Sequence, residues 1–419
     1  MLMVDKPSRG WQRPWVVGVY SAALADSLYS LWRYAVRGVG GGAFLGLPRM
    51  SPAFADLRQL THSAGCSASA QALLANAANC DPFGRPFNYT PFSLAILRAL
   101  HLTAASTPAL GAILGASSLL LVSVFFLTAT ESKDRALVAA AICFMGFPFQ
   151  LALERGNYDL VAFELCLALC ALSLRDDKAA RSGAAACAFL VSALKLFPAA
   201  GILLWSFASA HRGRRLVELF VPAALGVISQ AQYLPHILHN TPHPDGKSIS
   251  FGLLAAYQER VGFAASALLV CFKLLVGAAA FVLARRQLNC VPAEVRHDFF
   301  AQNTLDALAF AAFGSLSVAV YFVGRSFDYR LLFLLGMIPL LLNWLSRCDT
   351  RQRRTLPLSL VVLIAAISFE QYTPDKIGKA IHLATDMMLQ PLFFGASIAI
   401  LVTLILPHAH ATPTTAAPT

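Results

Sequence analysis

Uncharged apolar stretches recur along almost the whole chain, and the charged residues gather where those stretches end. The run from Thr107 to Ala129 carries no charge and is long enough to cross a hydrocarbon core of about 30 Å as a helix. Comparable runs follow at Gly262 to Ala284, Thr304 to Val323, Arg330 to Trp344, Thr355 to Phe369 and Pro391 to Pro407. Only helices and closed barrels satisfy backbone polar groups in lipid, and continuous Leu-, Ala- and Phe-rich runs lack the period-two alternation of a barrel strand. The pattern predicts an all-α, polytopic integral membrane protein with about twelve transmembrane helices.

Two stretches need separate treatment. Trp15 to Trp32 is apolar but lacks a compact core followed by a cleavage site, so it reads as a signal anchor. Ser182 to Ala210 is too long for one span and too short for two, with basic residues at both ends. A pair of short helices turning at Lys195-Leu196-Phe197-Pro198 fits it, with the proline starting the second helix. Residues 1–407 then form one helical domain with a long first loop at 36–106, and 408–419 are expected to be a disordered tail.

Composition supports the membrane reading: 57% of residues are hydrophobic and 13% charged, with a mean hydropathy of +0.61. That leaves too little polar surface to coat a soluble globule. The net charge of +11 does not imply a nucleic-acid partner, because Lys and Arg fall in short segments between spans. Those segments, Glu131 to Arg135, Leu174 to Arg181, His211 to Arg215, Arg285 to His297 and Ser346 to Arg354, are expected in the cytoplasm with Lys6, Arg9 and Arg13. The first loop, Glu154 to Asp159, Tyr233 to Val261, Gly324 to Tyr329 and Gln371 to Met388 then face outward. Asp26, Glu164, Glu218, Lys273 and Asp306 are possible intramembrane charges, all but Asp26 within reach of an interface.

Outward cations run against the positive-inside preference, so Arg155, Lys195, Arg325 and Arg330 are candidate anion ligands. Each segment also has a plainer explanation: a solvated turn at Glu154-Arg155, a snorkelling Lys195, or Asp328 neutralising Arg325 or Arg330. Four polar turns beside apolar spans on one side read better as a single site. Asp81 to Gly84 has the form of a turn. Cys66 and Cys80 bracket a polar insert and can pair if the loop is outside the cytoplasm. Asn88-Tyr89-Thr90 fits a glycosylation sequon, but Pro91 and the nearby membrane favour a structural role. His236, His239 and His243 are interrupted by prolines and lack partner ligands, so no metal centre is expected.

Glu154-Arg155-Gly156-Asn157-Tyr158-Asp159, with Ala193-Leu194-Lys195-Leu196-Phe197-Pro198 after the next helix and charge cluster, resembles the signature of glycosyltransferase family 87. The Phe87-Asn88-Tyr89-Thr90-Pro91 element is similar to the family's aromatic-proline segment, where a second proline is commoner than Thr90. The resemblance covers roughly Phe54 to Trp344. It implies a C-type glycosyltransferase fold and an inverting transfer of a mannose-like sugar from a polyprenyl-phosphate donor to a lipid or glycan acceptor. The site would face the exterior of a bacterial cytoplasmic (inner) membrane. In that fold an acidic residue of the first outer loop is the catalytic base, and Asp56 matches that position best, with Asp81 second. Arg155, Lys195, Arg325 and Arg330 would bind the donor phosphate, supported by Asp81, Tyr89, Asn157, Asp159 and Asp328. No nucleotide-binding motif appears, which favours a lipid-linked donor over a sugar nucleotide, and no cofactor is expected. The rival from another class is a transporter or flippase of a lipid-linked or anionic substrate, although no internal repeat is evident. A noncatalytic membrane subunit is the third reading.

Overall fold

The computed structural model describes residues 13–38, 52–208, 212–241, 250–253, 263–290, 304–323, 326–348, 350–369, 381 and 383–405. Among them the architecture is helical, with one antiparallel pairing of Ser250–Phe251 against Ser326–Phe327. Among the described residues, five helices are long and apolar enough to cross a membrane: Ala104–Ala129, Ser266–Asn289, Leu305–Phe322, Arg330–Arg347 and Thr385–Thr403. Two helix pairs, bent by 55° and 49°, raise the number to seven if each pair is one span. The protein is therefore an all-α membrane protein. All five spans overlap apolar runs evident in the sequence.

In chain order the first half comprises α1 (Pro14–Arg37), α2 (Ala55–Gly65), α3 (Ala70–Leu74), α4 (Pro91–Ala99), α5 (Thr107–Ala129), α6 (Lys133–Met145), α7 (Phe147–Arg155), α8 (Asp159–Ser173), α9 (Lys178–Leu194) and α10 (Pro198–Ala208). The α9–α10 break falls at Lys195, which is extended, and Pro198 opens α10 where its missing N–H costs nothing. This is the broken pair the sequence suggested. Phe163, Phe313 and Phe333 pack ring against ring in the interior. Ile113, Leu120, Leu268 and Leu275 project outward, 64–71% exposed, as lipid-facing side chains do.

The long first loop is described from residue 52 onward. It holds α2 to α4 and a Cys66–Cys80 disulfide. Arg98 ties it from behind, donating to the carbonyls of Ser63, Ala64, Cys66 and Ala68. Thr90 caps α4 and Pro91 follows at its first position, so the sequon-like stretch is a helix start, and Thr90 is buried.

Two sequence expectations are corrected. Lys273 does not reach an interface: it is fully buried and pairs with Asp386 at 2.7 Å, also donating to the Gly252 carbonyl. Asp386 in turn is not in an outer loop, because Thr385–Leu389 is helical and continues into Gln390–Ile405. Each charge needs the other once both leave water, and that requirement pulls both into the helix packing. The helices that carry them approach closely enough that a Cβ on Gly395 would lie 2.0 Å from the Gly277 carbonyl oxygen. The tail 408–419 lies outside the described residues.

Candidate functional site

The site is assembled by two backbone irregularities. Gly156 ends α7 in the left-handed region at φ +56°, which turns the chain sharply into α8 and leaves Arg155 and Asn157 on either side of the turn. Phe54 takes φ +59°, rare for a residue with a side chain. Its N–H donates to the Glu154 carbonyl at 2.6 Å, and a Cβ on Gly111 would meet its ring at 2.7 Å. The tight seat holds the strained backbone, and α2 starts directly over the α7–α8 turn.

Asp56, in the first turn of α2, therefore faces that turn. Its Oδ2 accepts from Arg155 Nε at 2.8 Å and Asn157 Nδ2 at 2.6 Å. Its Oδ1 accepts from Arg155 Nη2 at 2.5 Å and Arg85 Nη1 at 3.3 Å. Burial alone pushes the Asp56 carboxyl up. The charge and hydrogen bonds of Arg155, with help from Arg85 and Asn157, outweigh it and hold the group below the ordinary carboxylate range. Asp81 accepts from Arg85 three times, through the backbone N–H, Nε and Nη2. Gly84 closes the Asp81 turn at φ +69°.

A second cluster adjoins the first. Asn157 Oδ1 accepts from the Asp159 N–H at 2.8 Å, so one amide side chain links Asp56 to the start of α8. Asp159 is fully buried. Lys195 Nζ lies 3.0 Å from its Oδ1 and Arg330 Nε 3.4 Å from its Oδ2. Lys195 also sits over the Tyr89 ring at 5.1 Å, and Arg330 over Phe197 at 4.8 Å, contacts in which the ring faces attract the cations. Lys195 is thus drawn inward onto a carboxylate and does not snorkel. Glu154 is fully buried, so Glu154-Arg155 is not a solvated turn.

Asp56, Asp81, Tyr89, Arg155, Asn157, Asp159, Lys195 and Arg330, from well-separated parts of the chain, thus form one contiguous polar network. Arg325 lies outside the described residues, as does the side chain of Asp328. Sequence reasoning missed Arg85, which bridges both candidate bases. Its spacing of four from Asp81 was visible, but nothing local announced the reach back of 29 residues to Asp56. Among the described residues, four cations face three carboxylates in the two clusters. Such a network can hold an anion by exchanging internal ion pairs for contacts to it.

No protein-family model matches the chain, and no curated protein or solved structure matches it.

Proposed function

We propose that the protein is a membrane glycosyltransferase that moves a mannose-like sugar from a polyprenyl-phosphate donor to a lipid or glycan acceptor with inversion. The observation that carries this reading is the linkage of Asp56 to Asp159 through Asn157, with Arg155, Lys195 and Arg330 around them. One carboxylate suffices for inversion, because attack and departure occur in a single displacement. Asp56 takes the acceptor's hydroxyl proton as the new oxygen–carbon bond forms and the anomeric carbon–phosphate oxygen bond breaks. The bonding electron pair leaves with the polyprenyl phosphate, which gains one negative charge as Asp56 loses one. The leaving group needs cations more than a proton, and Lys195 and Arg330 supply them, joined in this reading by Arg155 and Arg325.

The finer architecture belongs to the same proposal: about twelve membrane helices in a C-type arrangement, in a bacterial inner membrane, with the site facing outward. The Cys66–Cys80 disulfide beside α2 supports an oxidising compartment on that side. Incubating the purified protein in nanodiscs with a panel of polyprenyl-phosphate sugars and membrane lipid extracts tests the reading. A new product heavier by one sugar residue supports it; no product from any donor, with the protein folded, overturns it.

A transporter or flippase is the second reading. The Lys273–Asp386 pair favours it, since buried ionisable groups within spans commonly line substrate or proton paths. Its signature is movement of a lipid-linked or anionic substrate across a sealed vesicle without change in mass.

A further inference from the structure

Asp56 has two oxygens with about four lone-pair sites, and four donors already occupy them. A carboxylate in this condition has nowhere to receive an acceptor hydroxyl, so a base at this position needs one donor to leave. The four are unequal. Arg155 grips both oxygens, and Asn157 is held from its other side by the Asp159 N–H. Arg85 makes the longest bond, 3.3 Å, through one nitrogen. Its side chain is 31% exposed, against 17% for Arg155 and 7% for Asp56.

Arg85 can let go of Asp56 without losing its own place. Nε and Nη2 stay on Asp81 at 2.9 and 3.1 Å, and Nη2 stays on the Ala55 carbonyl at 2.7 Å. The planar guanidinium has to pivot as a unit about its Nε and Nη2 contacts, which carries Nη1 off Oδ1. Beyond Arg85 lies the exposed ring of Phe83, 4.7 Å from the guanidinium carbon. The opposite side of Asp56 leads through Asn157 to the buried Asp159, Lys195 and Arg330. The network thus has a solvent-reached side and an inner side.

We propose that Arg85 is a positioning residue that gates Asp56: the acceptor's hydroxyl enters past Phe83 and displaces Arg85 Nη1 from Oδ1, while the donor phosphate is held on the Asp159 side. The gate rests on the reading of Asp56 as base. It keeps the carboxylate covered until an acceptor arrives, which guards a reactive donor against transfer to water. Besides Asn157, the groups facing Asp56 are Arg155 from the end of α7 and Arg85 with Asp81 behind it. Removing Arg85 takes one cation away and leaves Arg155 in place, so the acid limb of the rate profile moves to higher pH.

Two variants of the full chain test this, Arg85→Gln and Arg85→Lys, the second keeping a charge for Asp81 but lacking the fork that reaches Asp56. The direct readout is carbodiimide labelling of Asp56, followed by peptide mass spectrometry in nanodiscs. Labelling should accelerate by roughly tenfold in both, the factor expected for one hydrogen bond to a charged group. The acceptor KM should fall while the donor KM stays unchanged, a split that general loosening of the loop would not produce. Labelling at the wild-type rate in either folded variant overturns the gate. Faster labelling in a protein that transfers no sugar from any donor shows that Arg85 covers Asp56 but overturns the acceptor gate together with the transferase reading.

Discussion

Asp56→Asn tests the candidate base and the clamp around it together. The amide preserves shape but replaces a fully accepting carboxylate with one acceptor and one donor, so its NH₂ must face Arg155 or Asn157, which are donors there. Breaking a buried ion pair by removing one partner costs about 3–5 kcal/mol. Arg85 keeps Asp81 and is 31% exposed, so its share is small, and most of the loss falls on Arg155. A destabilisation of about 2–4 kcal/mol results. The wild-type carboxyl titrates below the ordinary carboxylate range. Its stabilisation is therefore present above the unfolded-state pKa and disappears as pH falls through the folded-state value. Unfolding of the two proteins in nanodiscs, followed by tryptophan fluorescence from neutral pH downward, should differ most at neutral pH and converge in acid. Turnover with a saturating donor should drop about 10²- to 10⁴-fold, as for loss of a general base. Equal stability across the pH range would refute the clamp. Wild-type turnover in a destabilised variant would remove Asp56 as base and leave Asp81.

Gly156→Ala puts a Cβ 3.0 Å from Leu57 Cβ and 3.1 Å from Phe54 Cδ1 at φ +56°. It should cost about 2–3 kcal/mol in the same unfolding assay, and wild-type stability would mean α2 does not rest on the turn. Lys195→Gln and Arg330→Gln each leave Asp159 with one cation and should weaken a labelled polyprenyl-phosphate analogue roughly ten- to a hundredfold. Unchanged affinity in both folded variants moves the donor site elsewhere. Lys273→Met alone should destabilise by about 3–5 kcal/mol, whereas Lys273→Met with Asp386→Leu recovers most of it. A double variant no better than the single one would show that the pair does more than neutralise itself.

The five candidate spans were legible because lipid imposes one simple rule on sequence, a long uncharged run, and Thr107–Ala129 obeys it without exception. The α9–α10 break was legible because Pro198 cannot continue a helix from Leu194. The exceptions are residues whose environment is set by a distant partner. Lys273 looked close enough to a span end to reach an interface, and its ion pair with Asp386, 113 positions away, is what local sequence could not show. The same holds for Arg85: an i to i+4 pair with Asp81 is a local matter, while its bond to Asp56 depends on how α2 is seated. That seat depends on Phe54 in a left-handed conformation, which no propensity would assign to phenylalanine.

The same irregularities explain why a charged network can exist beside the spans. Carboxylates and guanidiniums removed from water are tolerated only when their partners are fixed in advance. Rigid supports do that here: the Gly156 turn orients Arg155 and Asn157, the Phe54 anchor sets Asp56 above them, and the α9–α10 break presents Lys195 to Asp159. Each support also leaves the cations paired by carboxylates of the protein itself, so an incoming anion competes with Asp56 and Asp159 rather than meeting bare charge. Binding then exchanges one set of ion pairs for another, and the balance is sensitive to a single charge. A negative charge that shifts from Asp56 to a leaving phosphate during reaction would tip that balance, releasing cations at one end as they are needed at the other.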